Sequence, residues 1–188
     1  MKVVAVLGSP RAKSASTRLA DKVVETLQGD KEYVKFSLNN LKVRGCQGCG
    51  SCKGKTEICV LTDELIRVLA EVANSDILIF TSPIYIGEIT SQGKIFVDRA
   101  YSYYKPDFIT NPSPSRLSAG KKALLIFTQG NPDAQTYLES VHKNYLGYFS
   151  SLGFKTASHA AVMPFSPAEE NSAIEAEGKK AAEKLAAL

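Results

Sequence analysis

The sequence predicts an α/β protein: a five-stranded parallel sheet of order 2-1-3-4-5, in a three-layer sandwich with helices on both faces. Three observations predict it. Short apolar runs rich in β-branched residues alternate five times with segments of helical periodicity. Most of the strands read as continuous apolar runs, the pattern of a sheet buried on both sides. Polar loops containing Gly, Ser or Pro follow the first, third and fourth runs, which places them on one edge of such a sheet.

The elements follow in order. "KVVAVL" (Lys2–Leu7) is a strand that ends at Gly8-Ser9-Pro10. Leu19, Val23, Val24 and Leu27 lie at helical spacing, and Gly29 closes that helix. "YVKFSL" (Tyr33–Leu38) alternates and gives the second strand. "TDELIRVLAEVANS" opens with Thr62 as N-cap and carries Leu65, Ile66, Leu69 and Val72 on one face. "DILIFTSP" (Asp76–Pro83) is the third strand, "SQGKIFVDRAYSYY" a helix, and "KKALLIFTQG" (Lys121–Gly130) the fourth strand. "YLESVHKNYLGYFSSLG" gives a helix, "KTASHAAVMPF" a fifth, weaker strand, and the residues from Ser166 onward a closing helix interrupted at Gly178. No internal repeat is present.

A chain of 188 residues with 44% apolar and 22% charged content suits one compact domain, 1–188. The net charge of +4 is spread along the chain. That favours a small anion over nucleic acid as ligand. "MKVVAVLGSP" offers five apolar residues before a turn, too few for a signal-peptide core, and no stretch has the length of a membrane span. The expected location is cytoplasmic, with no membrane partner.

Chemistry concentrates in the loops. "GSPRAKSAST" (Gly8–Thr17) is neither G-x-G-x-x-G nor a Walker A loop. It presents four hydroxyls, Ser9, Ser14, Ser16 and Thr17, and two cations at a helix N-terminus, a setting suited to phosphate. Plain helix capping is the alternative. In "TSPIYIGEITSQGKIFVDRAY" (Thr81–Tyr101), Pro83 and Gly87 shape the loop, and Ile84, Tyr85 and Ile86 supply flat apolar surface. A planar heterocycle needs such a surface beside exposed amides; ordinary packing explains it equally well. "TQGNPD" (Thr128–Asp133) adds a polar loop on the same edge.

With "GSPR" and its downstream Ser and Thr, "SPIY", and "GKIFVDR" in place, the chain resembles the NADPH-dependent FMN reductase branch of the flavodoxin-like flavoproteins, from Lys2 to about Phe165. The resemblance implies FMN, its phosphate held by Ser9, Arg11, Ser14, Ser16 and Thr17. It places the isoalloxazine against Pro83, Ile84, Tyr85 and Gly87, with Thr128, Gln129, Gly130 and Asn131 closing one side. It also implies NAD(P)H as co-substrate and assembly into a homodimer or homotetramer. Asp98 and Arg99 are read as structural.

All four cysteines fall within Gly45–Cys59, spaced C-x2-C-x2-C-x6-C as Cys46, Cys49, Cys52 and Cys59. Three thiols at intervals of three can converge on one metal centre, and a fourth can complete it. Gly45, Gly48, Gly50 and Gly54 are expected to let the backbone curl around a cluster that leaves no room for Cβ atoms. Iron–sulfur clusters take four thiolates at short spacings. Zinc ribbons use two C-x2-C pairs a long span apart, and a cytoplasmic chain disfavours disulfides. The loop, placed after strand two, resembles that of the iron–sulfur flavoproteins. That resemblance implies a [4Fe-4S] cluster supplied by a ferredoxin-like donor. Four reduced thiols in a cluster-free protein are the alternative.

The function expected is that of an FMN-dependent oxidoreductase or electron-transfer flavoprotein, passing electrons between a [4Fe-4S] cluster and FMN and acting with a small-molecule or protein redox partner. The alternatives are a cluster-free NAD(P)H-dependent FMN or quinone reductase, a flavodoxin-like electron carrier, and a redox-sensing metal-binding protein. No catalytic side chain is expected, because FMN carries the chemistry. His142 and His159 are read as structural, and the Pro-rich segment after Tyr104 as a lid or a subunit contact.

Overall fold

β1 (Lys2–Leu7) occupies the middle of a parallel sheet because Val3 to Leu7 are all apolar and all buried. It pairs with β2 (Glu32–Ser37) on one side and β3 (Ile77–Tyr85) on the other. β4 (Glu88–Ile89) is a two-residue antiparallel strand folded back on the end of β3. β5 (Lys122–Gln129) continues the sheet beside β3, and β6 (Lys155–Val162) closes it. The parallel order is therefore β2-β1-β3-β5-β6, the winding expected from the sequence with one short strand added. The computed structural model describes residues 1–164 and 167–188. Phe165, the expected end of the last strand, and Ser166, the expected start of the closing helix, lie outside the described residues.

Alternate residues of each central strand feed two cores. Val3, Ala5, Leu7, Ile77, Ile79, Leu124 and Ile126 pack against α1 (Ala15–Thr26) and α5 (Pro167–Ala186). Val4, Val6, Leu78, Phe80, Leu125 and Phe127 meet α2 (Leu65–Ala73), α3 (Ser91–Ala100) and α4 (Lys143–Ser151) on the other face. Both faces are covered, so the sequence of these strands cannot alternate in polarity. The second core is aromatic: the Phe80 ring lies 5.8 Å from those of both Phe96 and Phe149. β2, at the edge, is mostly half-exposed and keeps the alternation its sequence shows.

Several boundaries differ from expectation. Thr62 does not cap α2; Asp63 Oδ1 accepts the Leu65 amide at 3.1 Å, and the helix starts at Leu65. The helix expected through Tyr104 ends at Ala100 and tightens into a 3₁₀ turn, Tyr101–Tyr103. Gly178 does not interrupt α5: a Cβ there would stand 2.5 Å from Lys22 Cγ, so glycine lets α5 lie directly on α1. The segment after Tyr104 folds back beside the cysteine loop, with Lys105 N on Pro114 O at 2.8 Å and Arg116 N on Tyr103 O at 2.7 Å. No described helix is long and apolar enough to cross a membrane.

The expected fourth helix begins as a π turn, Leu138–His142, whose bonds from Val141 N and His142 N both reach Tyr137 O. The turn aims His142 inward, where Nδ1 meets Ser158 Oγ at 3.0 Å and the ring stands edge-on to Phe127. Burial, then the cations of Lys184 and His159, pull the His142 pKa down to about 4. The unfolded chain therefore binds this proton before the folded one does, and stability is lost as pH falls from about 6.5 toward 4. Urea midpoints at pH 7 and pH 5 should fall further apart for the native protein than for His142→Gln. Equal differences would show that this ring does not set the acid sensitivity.

Candidate functional site

β1 leaves the sheet through Gly8, whose N–H donates to Thr81 O at 2.7 Å and whose carbonyl accepts the Thr90 hydroxyl at 2.6 Å. A Cβ on Gly8 would approach Thr81 O to 2.9 Å, so only glycine lets β1, β3 and the start of α3 meet. Thr90 caps α3 by accepting the Gly93 amide at 3.1 Å. The next loop is tied by its own hydroxyls. Ser14 caps α1, accepting Thr17 N at 3.2 Å, and lies 3.0 Å from both Ser16 Oγ and Thr17 Oγ1. Ser9 Oγ accepts the Arg11 amide at 3.2 Å. Capping thus accounts for Ser14. It leaves Ser9 and Ser16, both 1% exposed, to be explained by the cavity beside them.

That cavity, about 250 Å³, brings together the loop that follows β1 and the carboxyl-terminal ends of β3 and β5. Ser9, Arg11, Ser14 and Ser16 line one end, Pro83, Ile84 and Tyr85 a wall, and Thr128, Gln129 and Gly130 the side opposite. Three expected residues do not line it. The Thr17 hydroxyl is turned to Ser14, and Gly87 sits at a hairpin tip. Asn131 braces its own loop, its carbonyl accepting Gln129 Nε2 at 3.0 Å and its Oδ1 accepting Asp133 N. Gln129 keeps its Oε1 buried without a partner, an acceptor that a ligand N–H would satisfy.

Ala15, Met163, Pro164 and Glu170 also line the cavity and were not anticipated. Met163 and Pro164 follow β6 at the same edge, so the rule that singled out the other loops could have found them. Glu170 carries no local signal. It arrives from α5 and pairs with Arg18 Nη1 at 2.9 Å, so a carboxylate and its own cation stand together beside the Ser9–Ser16 loop. Tyr85 leads into a two-residue turn in which Ile86 (φ 51°) and Gly87 (φ 76°) are both left-handed. Among the described residues Ile86 alone of the non-glycines has positive φ, and its side chain is fully exposed. The sequence "IG" gives none of the Asn-Gly signal such turns carry.

The four cysteines line a second cavity of about 180 Å³ together with Tyr101, Ser102 and Arg99. None is in a disulfide; Cys46 and Cys49 are exposed, Cys52 and Cys59 half-buried. Among the described residues no three His, Cys, Asp or Glu side chains already form a group that could hold a metal ion. The donor set nonetheless fits a cluster: four free thiols face one space, and the Ser51 backbone and hydroxyl push the Cys49 thiol below its ordinary value. Among the protein's own atoms nothing stands within 4 Å of a Cβ built at any of the four loop glycines, and φ of 62° and 66° calls for glycine at Gly48 and Gly50.

Arg99 fastens the neck of this loop. Its side chain is fully buried, and Nη1 contacts both Asp63 oxygens, at 2.7 and 2.5 Å. The same guanidinium donates to Arg44 O and Leu61 O, each at 3.2 Å, on either side of the cysteines. Burial raises the Asp63 pKa, but Arg99 and the Arg44 and Leu65 amides outweigh it and hold the carboxyl below its usual range. An open groove of about 510 Å³ continues from Cys46 and Gly48 past Tyr101 and Tyr148 to Glu88, in the hairpin that borders the first cavity.

The family model described as the flavodoxin-like fold matches residues 1–185. The chain belongs to this family. It is 36% identical over 104 residues to an iron-sulfur flavoprotein of Archaeoglobus fulgidus, a match covering 55% of this chain and 47% of that protein. The match thus spans about half the length of that relative. Among solved structures, the NAD(P)H:quinone oxidoreductase of Methanothermobacter marburgensis superposes with a TM-score of 0.74 at 16% identity, covering 97% of this chain and 94% of the other. An FMN-dependent NADH-azoreductase of Bacillus anthracis in complex with FMN gives 0.66 at 18% identity, covering 98% and 99%. At these identities the family fold is what the two structures share with this chain.

Proposed function

We propose that the protein is an FMN-dependent oxidoreductase, organised as one domain, whose cysteine loop carries a [4Fe-4S] cluster. One observation carries the flavin reading: the carboxyl-terminal edges of three separate strands meet around a single cavity whose wall holds an unpartnered amide oxygen. When bound, FMN supplies hydride and single-electron transfer, and the cluster supplies single electrons. The chain's part is to bind and orient. Ser9, Ser14, Ser16 and Arg11 hold the phosphate at the α1 N-terminus, whose first-turn amides lack intrahelical acceptors. Pro83, Ile84 and Tyr85 cover the ring, and Thr128, Gln129 and Gly130 close its side. Thr17 and Asn131 support these residues from behind, and Gly87 forms the hairpin tip. Cys46, Cys49, Cys52 and Cys59 are the proposed cluster ligands.

Removing one hydrogen bond to a charged phosphate costs about 1.5–3 kcal/mol. Ser16→Ala should therefore weaken FMN binding roughly tenfold to a hundredfold, measured by flavin fluorescence titration. Thr17→Ala, at a residue that does not line the cavity, should cost much less. A native protein that purifies with FAD, or that binds no flavin at micromolar concentration, overturns the assignment. The same anaerobic preparation yields iron, sulfide and FMN stoichiometry, NAD(P)H bleaching, and by light scattering the proposed homodimer or homotetramer.

A second reading, a cluster-free NAD(P)H-dependent FMN or quinone reductase, is supported by the fold shared with the NAD(P)H:quinone oxidoreductase of Methanothermobacter marburgensis. Iron stoichiometry separates the two.

A further inference from the structure

Lys53 is the last residue of the 3₁₀ turn Ser51–Lys53, directly after Cys52. An ammonium group has three donors, and all three find acceptors here. Nζ donates to Tyr101 O at 2.7 Å and Tyr104 O at 2.9 Å, and it lies 3.6 Å from Cys52 Sγ. It also stands 4.1 Å above the centre of the Tyr101 ring. The two carbonyls belong to the turn that ends α3, some fifty residues away in the chain, and Arg116 donates to one of them as well. Arg99 grips the loop at its neck, on the residues outside the cysteines. Lys53 is the contact within the cysteine-bearing arc that crosses to the body of the protein and touches a thiol.

We propose that Lys53 is a positioning residue of the cysteine loop: it seats the Cys52 arm on the Tyr101–Tyr104 turn and fixes a positive charge beside that sulfur. The charge effect rests on the cluster reading above, whereas the seating does not. A fixed cation beside a cluster ligand favours the reduced, more negative state of the cluster. Lys53→Met removes the charge and all three contacts but keeps the length of the stem. Lys53→Arg keeps the charge, but its planar fork cannot reproduce a three-way contact.

The seating is tested on cluster-free full-length protein by amide hydrogen exchange over residues 46–59. Lys53→Met and Lys53→Arg should both exchange at least tenfold faster there, and Lys55→Met, altering an exposed lysine of the same loop, should match the native rates. The charge is tested on anaerobically reconstituted protein by a redox titration followed by electron paramagnetic resonance. Lys53→Met should shift the reduction equilibrium about tenfold toward the oxidised form, about 59 mV for one electron. Lys53→Arg should stay close to native.

Native exchange rates in Lys53→Met overturn the proposal. So does faster exchange with an unchanged potential, which would make Lys53 an ordinary structural lysine. A native chain that takes up no iron refutes the cluster reading and with it the charge effect; the exchange comparison then decides the seating alone.

Discussion

Asp63→Ala should destabilise the protein by about 3–5 kcal/mol, the effect of leaving a buried charge without its partner. Arg99 is fully buried, and Asp63 is the carboxylate within salt-bridge distance of it. Without that carboxylate the guanidinium retains two carbonyls at 3.2 Å, and the Arg44 and Leu65 amides lose the acceptor they share. Asp98→Ala is the matched control. It lies on the same helix, pairs with Lys94 at the surface, and should cost under about 1 kcal/mol. Urea unfolding of the two variants at neutral pH gives the comparison. Equal losses would show that the clasp is not what holds the loop's neck.

The second large effect is on iron. After anaerobic reconstitution with iron and sulfide, the native protein should hold about four irons per chain. Cys46→Ser, Cys49→Ser, Cys52→Ser and Cys59→Ser should each lose most of that iron while keeping FMN, whose proposed loops contain no cysteine. The four positions differ in exposure, which sharpens the test. A cluster uses all four ligands alike, so the losses should be similar; a loosely bound surface metal would spare the half-buried positions or the exposed ones. Native protein that never approaches four irons sinks the cluster and leaves the cluster-free reductase.

The sheet was legible because its information is local. Each central strand is a run of apolar residues, and each loop at the working edge begins where such a run stops. Ser9, Ser14 and Ser16 were found for the same reason, being the only rich cluster of hydroxyls just after the first strand. What escaped was set by distance or by backbone sign. Glu170 reaches the cavity from the far end of the chain through Arg18. Lys53 is one of many lysines until the Tyr101–Tyr104 carbonyls are folded against it. The pairing of β4 depends on Ile86 adopting a conformation its own side chain opposes. Gly178 reads as a helix breaker, and only the presence of Lys22 beneath it shows why a helix would want glycine there.

Because Arg44 and Leu61 are bound to one guanidinium, the chain enters and leaves the cysteine segment at a single point of α3. Between them, Cys59 rests against the second core and Lys53 against the Tyr101–Tyr104 turn. The cost of closing such a loop grows only with the logarithm of its length, about 0.6 kcal/mol per doubling. Insertions or deletions between Gly54 and Ile58, where the side chains are mostly exposed, should therefore leave both hydrophobic cores as they are. One buried arginine thus separates the tolerance of this arc for change from the stability of the scaffold that carries it.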